Sequence, residues 1–173
     1  TAVGYSAGSV MSTGTLNTIV GGLAGDALTE GNTNVVMGYQ ALTSETLGDR
    51  SVAIGTYALQ NQNNTSDTDV YNVAVGYDAG KTIDTGVRNT LIGGLAGDAL
   101  TTGSDNVAVG YGALTTEDAH GRNTAVGFNS LATLNAGANG LNVAIGYGAG
   151  ALMSTGIQNT ILGANAGDAL TTG

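Results

Sequence analysis

Residues 106–114 read Asn-Val-Ala-Val-Gly-Tyr-Gly-Ala-Leu, and residues 123–131 read Asn-Thr-Ala-Val-Gly-Phe-Asn-Ser-Leu. Each stretch opens on a polar turn former, continues through small and β-branched residues, and reaches a glycine. In Asn106-Val107-Ala108-Val109 the β-branched residues fall at every second place, the pattern of a short strand. The block recurs ten times, with glycines at Gly4, Gly21, Gly38, Gly55, Gly76, Gly93, Gly110, Gly127, Gly146 and Gly163. Successive separations are 17, 17, 17, 21, 17, 17, 17, 19 and 17 residues. A 17-residue unit is too short for a helix pair, and Glu, Lys, Arg and Gln are scarce. Each block is therefore expected to be one coil of a parallel β-solenoid. That makes an all-β chain, a β-roll of about ten coils forming one repetitive domain over residues 1–173.

The columns of the repeat suggest what each position does. The residue before the glycine is always aliphatic (Val3, Val20, Met37, Ile54, Val75, Ile92, Val109, Val126, Ile145, Leu162), which is read as one buried stack. Three places after the glycine stands Ala in nine blocks and Ser130 in the tenth, a tight approach. The next position is Gly in some blocks (Gly8, Gly25, Gly80, Gly97, Gly150, Gly167), with a large apolar residue three places later (Met11, Leu28, Ile83, Leu100, Met153, Leu170). In the others it is Leu itself: Leu42, Leu59, Leu114 and Leu131. One core slot filled from two backbone positions accounts for the alternation. The two kinds come in pairs, so the larger repeat is four coils, 72 residues from Gly4 to Gly76 and 70 from Gly76 to Gly146. Asn17, Asn34, Asn72, Asn89, Asn106, Asn123, Asn142 and Asn159 open their blocks, with Ser51 as a substitute. Asn tolerates left-handed backbone and can ladder with its copy in the next coil, a structural role. With coils about 4.8 Å apart, the rod is expected to be roughly 50 Å long.

Composition points the same way. The chain has 30 Gly, no Pro, Cys or Trp, one Phe and 10% charged residues. Thin layers of Ala, Val, Ile and Leu suit a fibre better than a globule. A net charge of −9 with four basic residues leaves no electrostatic footprint for nucleic acid. No stretch of about 18 apolar residues is present, so this segment is not expected to insert in a membrane. The absence of Cys is compatible with an extracellular structure held by packing alone. Because the chain begins and ends inside a repeat without a polar capping coil, it reads as part of a longer shaft.

Extra residues lie in Gln60–Asp69 and Ala132–Asn139, expected to be bulges on one face. Each coil offers two or three aliphatic side chains, worth about 1.5–3 kcal/mol each when buried, against about 1–2 kcal/mol per residue of backbone ordering. More than one chain is therefore expected. The ring column Tyr5, Tyr39, Tyr77, Tyr111, Phe128 and Tyr147 should pack between chains or against the next coil, and a three-fold arrangement would bury it along an axis.

Asn-Thr-Ala-Val-Gly-Phe-Asn-Ser-Leu (123–131), Asn-Val-Ala-Val-Gly-Tyr-Gly-Ala-Leu (106–114) and Ser-Val-Ala-Ile-Gly-Thr-Tyr-Ala-Leu (51–59) resemble the head repeats of trimeric autotransporter adhesins. They are more similar still to the 17-residue repeats of phage tail-fibre shafts, over essentially the whole chain. The resemblance implies a left-handed parallel β-roll, side-by-side or intertwined homotrimers, and a location on a virion or cell surface. The Gly-type coils and the Gly-Asp-Ala-Leu segments depart from that pattern.

Candidate chemistry is sparse. His120 is the only histidine and precedes Gly121, so it reads as a solvated turn residue. Asp26, Asp98 and Asp168 share a Gly-Asp-Ala-Leu context that suggests calcium, but an Asx turn at a coil corner is preferred. For the rings, core or interface packing is preferred over a glycan-stacking surface. Asn63 and Asn64 match glycosylation sequons. No catalytic residue, metal ligand or cofactor is assigned, and no enzyme is expected. The expected function is a structural or adhesive fibre segment that presents a receptor-binding tip, with any host glycan or receptor met by other parts of the fibre. The alternative is a solenoid that recognises polysaccharide or ice through a regular flat face.

Overall fold

Asn106 to Gly110 forms a three-residue strand between turns, and the same unit stacks on itself along the chain. The computed structural model describes residues 1–173 and contains no helix. Its strands are β1 (Ala2–Val3), β2 (Thr18–Val20), β3 (Val35–Met37), β4 (Gly48–Asp49), β5 (Val52–Ile54), β6 (Thr68–Asp69), β7 (Val73–Val75), β8 (Thr90–Ile92), β9 (Val107–Val109), β10 (Thr124–Val126), β11 (Val143–Ile145) and β12 (Thr160–Leu162). Ten of them form one sheet in the order β1-β2-β3-β5-β7-β8-β9-β10-β11-β12, every pairing parallel. These ten rungs are joined by nine turns of the chain, a parallel β-solenoid with the expected 17-residue period. The longer turns do not disturb the register, since Ala53 pairs with Ala74 and Ala125 with Ala144.

One column assignment is corrected. Val75, Ile92 and Val109 do lie above one another in register, but they face outward, and Ile92 remains 40% exposed. The buried column is the middle residue of each strand: Ile19, Val36, Ala53, Ala74, Leu91, Ala108, Ala125 and Ala144, all fully buried, and then Ile161. Side chains alternate across a strand, so only the central one of three can enter the coil, and its neighbours on both sides must leave it. The Ala column of the turn (Ala24, Ala41, Ala58, Ala79, Ala96, Ala113, Ala149) and the two Leu positions complete a single apolar core.

The backbone explains the glycines and the Gly-or-Leu alternation. Gly110 has φ +133°, and a Cβ there would come within 2.5 Å of the Gly127 carbonyl oxygen one rung above. No other residue fits that column. The alternating position is left-handed in both kinds of coil, with φ +57° at Gly97 and +55° at Leu114. Glycine is at ease there, whereas Leu costs about 1–2 kcal/mol and recovers it by burying its whole side chain.

The opening asparagines are buried, except the half-buried Asn159, and form the expected ladder. The N–H of Asn34 donates to Asn17 Oδ1 (2.8 Å), that of Asn89 to Asn72 Oδ1 (2.8 Å), and that of Asn106 to Asn89 Oδ1 (3.0 Å). In six of them the Nδ2 closes its own coil by donating to a carbonyl near the coil's end, as Asn72 does to Gly86 (2.7 Å) and Asn89 to Gly103 (2.9 Å). A buried amide with donor and acceptor both used is stabilising, whereas the same amide left unpaired would be costly.

Candidate functional site: an apolar outer face beside an aromatic column

Two outward columns run the length of the ten-stranded sheet. One is the aliphatic column already named. The other is Thr18, Val35, Val52, Val73, Thr90, Val107, Thr124, Val143 and Thr160, in which Thr follows no regular spacing. The aliphatic column is an unbroken apolar strip, the Thr and Val column beside it adds methyl groups and hydroxyls, and neither carries a charge.

The ring column borders this strip just past the glycine corner. Its rings are exposed, and they pack on one another along the rod. Tyr111 and Phe128 are stacked at 5.7 Å, and Phe128 and Tyr147 at 5.1 Å with planes 7° apart. Tyr39, Tyr57 and Tyr77 meet edge to face at 5.8 and 6.0 Å. Tyr57 joins from one place further along its coil, which the sequence columns did not reveal. Glycine seats two rings: a Cβ at Gly22 would touch Tyr39 (3.5 Å), and one at Gly94 would press on Tyr111 (3.3 Å).

The longer turns are not simple bulges. In the first, Gln62 turns inward, is fully buried, and replaces the ladder amide that Ser51 lacks. Its Nε2 donates to Ser51 Oγ (3.0 Å) and to Glu45 Oε2 (2.8 Å), while its Oε1 accepts from Asn72 Nδ2 (2.9 Å). Glu45 is also fully buried, and it accepts from the backbone of Thr46, Leu47, Gly48 and Asn64 and from Asn64 Nδ2. The remainder of that turn pairs β6 with β4 as a two-stranded parallel ladder.

The second longer turn repeats the arrangement 72 residues on with less polar support. Glu117 stands where Glu45 stood, Leu134 replaces Gln62, and Ala136 replaces Asn64. Glu117 is fully buried and accepts from the backbone of His120 (3.2 Å) and Ala136 (3.3 Å). The His120 ring Nδ1 lies 3.2 Å from Glu117 Oε1. His120 is therefore a partner of a buried carboxylate, not a freely solvated turn residue. Glu117, Asp118 and His120 are the group of donors near enough to share a metal ion, their ligand atoms lying within 4.8 Å of one another. Nothing in the sequence columns marked either glutamate, because each is a single residue in a turn whose burial depends on the extra residues that cover it.

The remaining candidates fall apart as chemistry. Asp26 and Asp98 each accept from the hydroxyl of a threonine one coil on, Thr43 and Thr115, so they serve as corner fastenings. Asn64 of the sequon is buried on Glu45, and the Asn63 side-chain carbonyl accepts from Thr46 Oγ1 (3.1 Å). All three arginines, Arg50, Arg88 and Arg122, occupy the position just before the opening Asn or Ser. Arg88 meets Asp105 one coil on (2.6 Å); the hydrogen bond raises the guanidinium pKa further and holds the Asp105 carboxyl below its usual range. Arg50 pairs with Asp69 and lies over the Tyr71 ring (5.6 Å), and Lys81 pairs with Asp78 (3.3 Å) over Tyr57 (4.9 Å). No helix is long and apolar enough to cross a membrane. No protein-family model, curated protein or solved structure matches the chain.

Proposed function

We propose that this chain is a structural segment of a surface fibre, a tail-fibre or adhesin shaft that self-associates along its outer sheet face, as a homotrimer, and carries a receptor-binding tip for host or surface attachment. The observation that supports this reading most is the unbroken outward apolar strip, about 45 Å long at about 4.8 Å per rung. Burying the remaining exposed part of some ten aliphatic side chains is worth on the order of 6–12 kcal/mol per chain. That is the same size as the roughly 4–15 kcal/mol lost when free chains associate. Association is then near balance and depends on concentration. A non-enzymatic role fits the way the acidic and basic groups are used, since Glu45, Asp26, Asp98 and Arg88 are each engaged in holding coils together. A regular flat binding face for ice or polysaccharide has less support, because Thr and Val alternate irregularly in the outward column.

Sedimentation equilibrium over a range of protein concentrations tests the reading. A mass of three chains, falling to one chain in Ile92→Asp with the strand signal in circular dichroism retained, is the expected result. A parent chain that stays monomeric at the highest concentration would overturn it.

A further inference from the structure

The consecutive rings Tyr111, Phe128 and Tyr147 stop at Tyr147. The next coil carries Ala164 in the ring position, so Tyr147 is stacked on Phe128 alone and keeps 58% of its surface exposed. The position after Tyr147 is Gly148; the same column holds a second glycine at Gly112 and larger side chains such as Leu23, Gln40, Leu95 and Asn129 elsewhere. A groove of about 250 Å³ runs beside Tyr147 and Gly148 across three coils, with Phe128, Tyr147 and Leu152 on its apolar side and Asn129, Asn165 and Asp168 on its polar side.

The sister place in the preceding four-coil repeat has no such opening. There Asp78 stands for Gly148, Lys81 for Ala151 and Tyr57 for Asn129, and Asp78, Lys81 and Tyr57 pack together. Gly148 shares its column with Gly112, and in both places the Asn of the next coil lies over the glycine, Asn165 Oδ1 standing 2.8 Å from where a Cβ of Gly148 would be.

We infer that this groove binds one ring of a neutral pyranose glycan. A sugar ring has an apolar face of C–H groups and a rim of hydroxyls. Tyr147 and Leu152 supply an apolar wall, and the two side-chain amides offer donors and acceptors in pairs, as hydroxyls require. The volume suits one sugar unit and is small beside a drug-sized pocket. Charge narrows the class further: Asp168 in the groove and a net charge of −9 disfavour sulfated or uronate sugars. The groove lies round the corner from the outward strand columns, so binding does not depend on the assembly proposed above.

Saturation-transfer NMR on the whole chain with maltotetraose, cellotetraose and chitotetraose tests the inference, with an alginate tetramer as the anionic comparison. Saturable binding of at least one neutral oligosaccharide is expected, weakened at least tenfold in Tyr147→Ala and in Gly148→Asn, and unchanged in Tyr77→Ala. Asn is the chosen filler because the same column already holds Asn129 and Asn165 at positive φ, +51° and +53°. Circular dichroism of each variant confirms the fold, and sedimentation of the same samples reports assembly separately. Absence of binding to all three neutral oligosaccharides, equal or tighter binding of alginate, or undiminished binding by the folded Gly148→Asn variant would each overturn it.

Discussion

Leu91 of one coil fills the hollow over Gly80 of the coil before it, where a Cβ would lie 2.6 Å from Leu91 Cδ1. The same side chain covers Gly97 in its own coil (2.8 Å). Ile19 does this for Gly8 and Gly25, and Ile161 for Gly150 and Gly167, at four-coil intervals. The paired Gly-type coils are therefore the coils spanned by one large strand residue, which is the physical origin of the 72- and 70-residue super-repeat. Leu91→Ala should lower stability by about 2–5 kcal/mol, read from urea unfolding. Gly80→Ala should also destabilise, through crowding and left-handed strain. The double variant should be more stable than the sum of the two losses by about 1 kcal/mol or more, and simple additivity would mean that the two residues do not share the space.

The polar ladder offers a second test. Gln62→Leu places in the first long turn the residue that the second carries at Leu134. The apolar volume fits, but Glu45 loses a donor, and Ser51 and Asn72 lose their link. A loss of about 1–3 kcal/mol is expected in the same unfolding measurement. An unchanged midpoint would show that the network adds nothing.

Gly110→Ala should be among the most damaging of small substitutions, about 3 kcal/mol or more. It combines a backbone angle of +133° with a carbonyl only 2.5 Å from the new Cβ. Thermal melting followed by circular dichroism checks this, and a variant that melts with the parent would remove the close-approach explanation for the glycine column.

The ion pair of Arg88 and Asp105 should matter little and in a defined direction. A carboxyl held below its usual pKa adds stability above the ordinary carboxylate range and loses it as pH falls through the lowered value. The pair is exposed, so salt should screen it. Asp105→Asn should melt slightly below the parent at about pH 7, and together with it at about pH 2 or in about 1 M salt. A difference that persists in both conditions would point to something other than charge.

Much of this architecture was legible in the residues. Seventeen-residue spacing named the rungs, and the Ala, Leu and Asn columns were assigned to the places they hold. Which apolar column faces in is not legible, because Val109 and Ala108 are both apolar and periodicity over three residues cannot say which one enters the coil. Only the narrowness of the coil decides it. Glu45, Gln62 and Glu117 were missed because their burial follows from turns that depart from the repeat, and column reading has least to say where columns fail. The groove beside Gly148 is likewise not readable from the columns, since its walls come from three successive coils.

Leu91 faces into the coil and Ile92 faces outward, where the proposed assembly would place a neighbouring chain. The protein has no cysteine, so Leu91→Cys and Ile92→Cys each introduce a unique thiol whose labelling rate can be followed as protein concentration rises. The Leu91→Cys thiol should stay slow throughout. The Ile92→Cys thiol should react quickly at low concentration and become protected in step with the mass seen by sedimentation. Rapid labelling of Ile92→Cys at every concentration, while the chain is shown to be oligomeric, would contradict the outward face as the place where chains meet.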